Sequence, residues 1–160
     1  MPNLITIIQF LWPVAAGAFG AWGWFQLFRK KEQRLFKNLQ RPVGIIATPD
    51  KPMTHEAVLL KRVGFFDIKD PSSDSRALDL MNENRLVIIG YSPNSQAFKD
   101  AFNTAKQREV PVIVYAGPTR ISDEDMKLLQ SYSHHSMCNT PLRLISDVFA
   151  MMGTLPEEEK

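Results

Sequence analysis

The chain begins with a long apolar segment and continues with short apolar runs that alternate with amphipathic patterns. From Asn3 to Phe28 there is no charged residue, and bulky apolar residues dominate. A helix needs roughly 20 such residues to cross a membrane, so the pattern predicts a transmembrane helix over residues 1–28. A cleaved signal peptide is the alternative. Because Lys and Arg follow the apolar stretch instead of preceding it, we favour an uncleaved anchor.

Positive charge is concentrated directly after this segment. Residues 29–41 hold six Lys or Arg and one acid, which predicts a basic juxtamembrane helix in contact with anionic lipid. The positive-inside rule then predicts that the amino terminus lies outside and residues 29–160 lie in the cytoplasm. We expect a single-pass protein of a bacterial inner membrane. The single cysteine, Cys138, agrees with a reducing compartment. The basic segment lacks interleaved aromatic residues, so we expect no direct binding to duplex DNA or RNA.

After the basic segment, residues 42–153 alternate between predicted strands and helices, and residues 154–160 form an acidic tail. The predicted strands are 43–47, 65–69, 86–89, 111–115 and 136–139. The predicted helices are 54–63, 75–82, 95–108, 122–131 and 142–152. Continuous apolar strands that alternate with helices are typical of a parallel sheet covered on both faces. The pattern therefore predicts an α/β, Rossmann-like domain, doubly wound as in flavodoxin, with a five-stranded parallel sheet.

The loops after the strands form the candidate ligand site, because doubly wound sheets bind ligands at the carboxyl ends of their strands. Their hydroxyl and amide groups, together with an arginine, are suited to a small phosphorylated ligand. The predicted ligand-binding residues are Thr48, Ser92, Asn94, Ser95, Thr119 and Arg120. An alternative role for such residues is helix capping, which we consider for Ser92 or Asn94, for Ser122 and for Thr140.

Catalytic motifs are missing from the sequence. It has neither a Gly-rich dinucleotide fingerprint nor a phosphate-binding GxxxxGK[ST] loop. The adjacent residues His134 and His135 would point to opposite faces of a strand, so they are poorly placed to share a metal. Cys138 has no evident partner base and is best explained as a buried apolar residue. We therefore expect a protein that is not an enzyme and that binds no cofactor and no metal.

Residues 41–153 resemble the receiver domain of response regulators. The similar segments are LLKRVGF, LVIIGYSP, VPVIVYAG and NTPLRLISDVFAMM. The resemblance implies the receiver fold, but the family's phosphorylation residues are replaced. Gly90 takes the place of the phosphoacceptor aspartate at the end of the third strand, and the acidic pair after the first strand falls near Thr48 and Pro49. Ala116 replaces the family's Ser or Thr at the end of the fourth strand, and Thr140 replaces its Lys before the last helix. The resemblance therefore implies a pseudo-receiver that is not phosphorylated on aspartate.

The layout of the chain resembles a second class of protein. One membrane helix ahead of a small cytoplasmic Rossmann-like domain is similar to the membrane effectors of prokaryotic antiviral immunity. In these effectors a CARF-type (CRISPR-associated Rossmann-fold) domain binds cyclic oligoadenylate, and the membrane part perturbs the bilayer. The resemblance implies a ligand site in residues 48–51 and 116–120.

Small and polar residues follow one face of the apolar helix, at alternating spacings of three and four. They are Thr6, Gln9, Pro13, Ala16, Gly20 and Gly23. This spacing is typical of the seam of a left-handed helix bundle, and small residues let membrane helices approach closely. The pattern predicts a homo-oligomer through this face. With four or more subunits the face could line a pore, although packing explains the residues without one.

The function expected from these patterns is that of a non-enzymatic membrane effector or sensor. Its cytoplasmic domain would bind a small phosphorylated ligand, such as a cyclic oligonucleotide, and alter an oligomeric transmembrane bundle, with a role in antiviral defence. The alternative is a membrane-tethered pseudo-receiver that acts as a protein-docking scaffold.

Overall fold

The structure is a computed structural model that describes residues 4–73, 77–83 and 85–155. The side chains of residues 4–15, 77, 78 and 83 lie outside the description. The chain divides into two units, the first ending at Phe36 and the second beginning at Lys37.

A single long helix, α1 (Leu4–Leu39), forms the first unit and continues into the second with its last residues. Within the described residues, none of the helices combines the length and the hydropathy that a membrane crossing requires. The predicted transmembrane segment, residues 1–28, includes residues 1–3 and the side chains of residues 4–15, which lie outside the description. The helix ends at Leu39, within the predicted basic juxtamembrane helix of residues 29–41.

The last residues of α1 are fixed within the second unit. Leu39 belongs to its apolar core, and the Asn38 side-chain amide donates a 3.0 Å hydrogen bond to the Leu155 carbonyl. This bond joins two ends of the second unit that are 117 residues apart in the chain.

The second unit is built on a parallel sheet with the strand order β2-β1-β4-β5-β6, and the short strand β3 also pairs with β1. The strands are β1 (Pro42–Ala47), β2 (Asp67–Ile68), β3 (Ser72–Ser73), β4 (Leu86–Gly90), β5 (Val112–Tyr115) and β6 (His135–Cys138). The helices are α2 (Thr54–Val63), α3 (Ala77–Glu83), α4 (Gln96–Gln107), α5 (Asp123–Gln130) and α6 (Pro141–Thr154). The predicted α/β, flavodoxin-like doubly wound fold is confirmed.

The predicted number of strands needs one correction. The expected second strand, residues 65–69, is confined to β2, which pairs with the start of β1. The strand β3 lies beyond the predicted range and pairs with the end of β1, so the described residues form a sheet of six strands instead of five. Pro71 lies between β2 and β3 and has no N–H to donate to a strand ladder, which accounts for the gap between them.

Apolar side chains cover both faces of the sheet, and β4 supplies both layers. Leu86 and Ile88 point into the layer that includes residues of α2 and α6, whereas Val87 and Ile89 point into the layer with α4 and α5. All four are completely buried. This explains why the sequence of β4 is a continuous apolar run.

Candidate functional site

The carboxyl ends of β1, β4 and β5 lie side by side, and a tight turn follows the first of them. The Thr48 N–H donates to the Lys51 carbonyl (3.1 Å), and the Lys51 N–H donates to the Thr48 carbonyl (2.9 Å). Pro49 occupies the second position of this turn, where its fixed φ is favourable. The Ser92 hydroxyl donates to the Asp50 carboxylate and so ties the turn to the loop after β4.

The turn places the Lys51 side chain across the ends of β4 and β5. A β-carbon added to Gly90 would lie 3.0 Å from both Cβ and Cγ of Lys51, and one added to Gly117 would lie 2.5 Å from its Nζ. The ammonium is 4.8 Å from the centroid of the Tyr115 ring, within the range of a cation–π attraction. The two glycines therefore make the space that the lysine occupies.

Three of the predicted ligand residues lie in the loop after β4 and hold it in shape. Ser92 is buried and donates to Asp50, as described above. Asn94 is exposed and has φ +56°, a conformation that Asn adopts more readily than most residues. Ser95 is the N-cap of α4, and its hydroxyl accepts from the Phe98 N–H at 3.4 Å. The cap of this helix is therefore Ser95, whereas the sequence had suggested Ser92 or Asn94. The helix begins at Gln96, three residues later than a cap at Ser92 requires and one residue later than a cap at Asn94 requires.

Two other predicted ligand residues, Thr119 and Arg120, line a pocket of about 500 Å³ beyond the ends of β5 and β6. Asn139 and Arg143 line the same pocket. Arg120 is exposed, and the Arg143 guanidinium forms a 2.8 Å ion pair with Asp147. The pocket thus brings two guanidinium groups, the carboxylate of Asp123 and two uncharged polar side chains to one edge of the sheet.

The sixth predicted ligand residue, Thr48, lines a different pocket, of about 450 Å³. The structure therefore places Thr119 and Arg120 in one pocket and Ser92, Asn94 and Ser95 in one loop. Thr48 begins the turn that the Ser92–Asp50 hydrogen bond ties to this loop, but it lines a different pocket. Their role in ligand binding stays a prediction.

The predicted oligomer face lies on α1 in the first unit. The side chains of Thr6, Gln9 and Pro13 lie outside the description. Ala16 and Gly20 are exposed, and Gly23 is half-buried. Self-association through this face stays a prediction.

A buried carboxylate connects the loop after β4 to α5. Asp125 accepts hydrogen bonds from the Tyr91 hydroxyl (2.9 Å) and from the Ser122 hydroxyl (2.8 Å). The Ser122 hydroxyl also caps α5 by accepting from the Asp125 N–H. The spacing of Ser122 and Asp125 predicts this cap. The part played by Tyr91, 34 residues from Asp125 in the chain, has no signal in the sequence.

Cys138 lies buried at the end of β6 and borders the pocket of Thr119 and Arg120. Burial, reinforced by the negative charge of Asp147 and partly offset by Arg143, raises the pKa of its thiol to about 12. The thiol is therefore protonated at neutral pH and is a poor nucleophile. Among the described residues, no three His, Cys, Asp or Glu side chains are grouped in a way that would hold a metal ion.

Comparisons with known proteins identify the fold. The sequence matches no protein-family model and no curated protein. The receiver domain of the Francisella response regulator 1452 is 16% identical, with a TM-score of 0.52 over 71% of this chain and 97% of that domain. The signal receiver domain of NarL from Mycobacterium tuberculosis is 10% identical, with a TM-score of 0.55 over 72% and 98%.

A third structure, a CheY-like receiver domain protein from Methanospirillum hungatei JF-1, is 13% identical, with a TM-score of 0.54 over 71% of this chain and 94% of that one. Identities this low show a common fold only. The second unit has the flavodoxin-like fold of receiver domains, and the resemblance seen in the sequence is confirmed at this level.

We expect the second unit to lose stability at alkaline pH, because the Cys138 thiol keeps its proton longer when folded. Its pKa rises from 9.0 to about 12 on folding. Between these values the unfolded chain binds fewer protons than the folded one, so the free energy of unfolding falls as pH rises. Burial also raises the pKa of Tyr115 and Tyr132, in the same direction. Urea unfolding of the wild type and Cys138→Ala across this pH range measures the effect.

The free energy of unfolding of Cys138→Ala should decline less steeply with pH than that of the wild type, whatever the stability of the variant at neutral pH. Equal slopes for the two proteins would show that the thiol does not contribute to the pH dependence.

Proposed function

We propose that the second unit is a pseudo-receiver, which acts through protein contacts and takes no part in aspartyl phosphorylation. The observation that carries this proposal is the position of Lys51. Its methylene groups, together with Cγ of Met53, lie 3.0 Å from the point where a side chain at Gly90 would begin. A phosphoacceptor carboxylate would therefore have no room at the end of β4 unless these side chains moved.

An exposed apolar patch near α2 and α6 offers a surface for docking. Val58, Phe65 and Phe149 are 48%, 51% and 37% exposed. The Phe149 ring meets Phe65 and Phe66 edge-on, with centroids 6.2 and 5.7 Å apart. Clustered exposed aromatic residues are typical of protein-binding surfaces. We call this surface the Phe65–Phe149 patch. We propose that a protein partner with an apolar contact surface docks on it.

The docking role predicts a site-specific contact in cells. A photo-crosslinking amino acid in place of Phe65 should give one discrete product, and one in place of Asn103, an exposed residue of α4, should not. Phe149→Ala should lower the yield from position 65 several-fold, because it removes the ring that packs beside it. Gel electrophoresis and mass spectrometry of the product provide the measurement.

The same products from both positions, or no product from position 65, would contradict the docking role.

Incubation of the purified chain with acetyl phosphate and Mg²⁺ tests the proposal that the second unit takes no part in aspartyl phosphorylation. Phosphate bound to the chain in a form that alkali and hydroxylamine release, as expected of an aspartyl phosphate, would overturn it.

We further propose that α1 tethers the domain to the inner face of a bacterial inner membrane as a single-pass anchor, in the orientation expected from the sequence. Support comes from the uncharged stretch between Asn3 and Phe28 and from the basic residues 29–41. Trp22 and Trp24 precede the basic residues and are 62% and 67% exposed. Aromatic residues next to Lys and Arg are typical of the cytoplasmic membrane interface.

This orientation predicts that the second unit is reached by protease only from the cytoplasmic side. The full chain should stay in the membrane fraction after a high-salt wash. Its second unit should be digested in inverted membrane vesicles and protected in intact spheroplasts. Release by salt, or digestion in spheroplasts, would contradict the anchor and its orientation.

A second candidate function, that of a ligand sensor, is favoured by the pocket of Thr119 and Arg120. Two arginines at the carboxyl edge of a doubly wound sheet are suited to a phosphorylated ligand, such as a cyclic oligonucleotide. The ligand would alter an oligomeric bundle formed through the α1 face of Ala16, Gly20 and Gly23. Because the layout of the chain resembles that of antiviral membrane effectors, this second candidate function includes a role in antiviral defence.

A sensor predicts that one nucleotide raises the unfolding temperature of the full chain in detergent, because binding to the folded state stabilises it by mass action. A panel of linear and cyclic nucleotides should give a saturable shift with one species. Arg120→Gln should abolish the shift, and Arg62→Gln, at an exposed position of α2, should retain it. Equal shifts in both variants, or no shift across the panel, would exclude this pocket as a nucleotide sensor.

A further inference from the structure

A second pocket lies beside the end of β1, between β3 and the start of α2. Its volume is about 450 Å³, and its described lining includes four hydroxyl residues and three prolines. The hydroxyl residues are Thr48, Thr54, Ser72 and Ser73. This pocket is separate from the one that Thr119 and Arg120 line.

Two hydroxyl groups in this pocket are buried without a hydrogen-bond partner among the described residues. Thr48 is only 3% exposed, and neither its Oγ1 nor the Oγ of Ser72 makes a hydrogen bond. Native structures seldom leave buried hydroxyl groups unsatisfied. Two such groups in the lining of one pocket indicate an occupant that forms hydrogen bonds with them.

The amino terminus of α2 supplies further donors at the same place. Thr54 is the first residue of this ten-residue helix and lines the pocket. The N-cap residue, Met53, has φ +58° and forms no side-chain cap. The first N–H groups of a helix have no partner within it, and the helix dipole makes this end partly positive.

The described lining of the pocket contains no charged side chain, so the partly positive end of α2 is what favours an anionic occupant. The prolines of this lining have no N–H. The Asp50 carboxylate, in the adjoining turn, accepts a hydrogen bond from the Ser92 hydroxyl in the loop after β4. Glu56, in the first turn of α2, interacts with Tyr115 and contributes to the raised pKa of that phenol. The hydroxyl groups and the helix end thus offer donors that a phosphate or carboxylate group would accept.

We propose that this pocket binds the oxyanion group of a small ligand, a phosphate or a carboxylate, through the hydroxyls of Thr48 and Ser72 and the amino terminus of α2. The site is independent of the docking role and of the pocket of Thr119 and Arg120. Its failure would leave both unaffected.

The test is thermal unfolding of the full chain in detergent, titrated with inorganic phosphate or with acetate and compared with sodium chloride at equal ionic strength. Phosphate, acetate or both should raise the unfolding temperature saturably, whereas chloride should not. Thr48→Val keeps the shape of the side chain and removes the hydroxyl, so it should abolish the shift. Because the hydroxyl has no partner in the unliganded protein, the variant should unfold at the same temperature as the wild type or higher.

Thr104→Val is the matched control: Thr104 lines neither pocket, its hydroxyl donates to the Asp100 carbonyl within α4, and the variant should keep the full shift. Ser72→Ala gives an independent test of the same site and should also reduce the shift. A full shift in Thr48→Val and Ser72→Ala, a shift lost in Thr104→Val, or no shift with either anion would overturn the proposal. A marked loss of stability in unliganded Thr48→Val would do the same, since it would show that the hydroxyl already has a structural partner.

Discussion

The register of the three central strands is the constraint on which the rest of the second unit depends. Ile45, Ile88 and Ile113 pair in one row across β1, β4 and β5, and all three belong to the apolar layer that includes α2 and α6. Ile46 and Ile89 pair in the next row and belong to the opposite layer. A slip of one residue would exchange the two layers, so burial on both faces fixes the register strongly.

The same register determines which residues lie next to each other at the carboxyl edge of the sheet. It sets Gly90 beside Tyr115, and the turn after β1 brings Lys51 over both. The receiver structures share this fold with the chain, but here a lysine side chain covers a strand end that carries no side chain of its own. The methylene groups of Lys51 thus take up the space that a side chain at Gly90 would need, while its ammonium lies against the Tyr115 ring. This difference is why we favour contact-based signalling over phosphoryl transfer.

The proposed roles belong to different parts of the second unit. Docking is assigned to the Phe65–Phe149 patch, near α2 and α6, whereas both pockets lie at the carboxyl edge of the sheet. Phe65 and Phe149 line neither pocket, so variants of the patch and variants of the pockets test the roles separately. A domain of this kind can combine partner binding with ligand binding without sharing residues between them.

The sequence by itself determined the elements whose signals are local: the continuous apolar strand β4, the caps Ser122 and Thr140, and the order of strands and helices that defines the α/β class. Only the tertiary structure decided the pairing of the short strand β3 with β1, the position of Lys51 and the Tyr91–Asp125 hydrogen bond. A strand of two residues has no periodicity to detect, and a lysine in a turn has the pattern of any solvated residue. Such contacts join residues far apart in the chain, and they form only after the buried strands have set the register that brings their loops together.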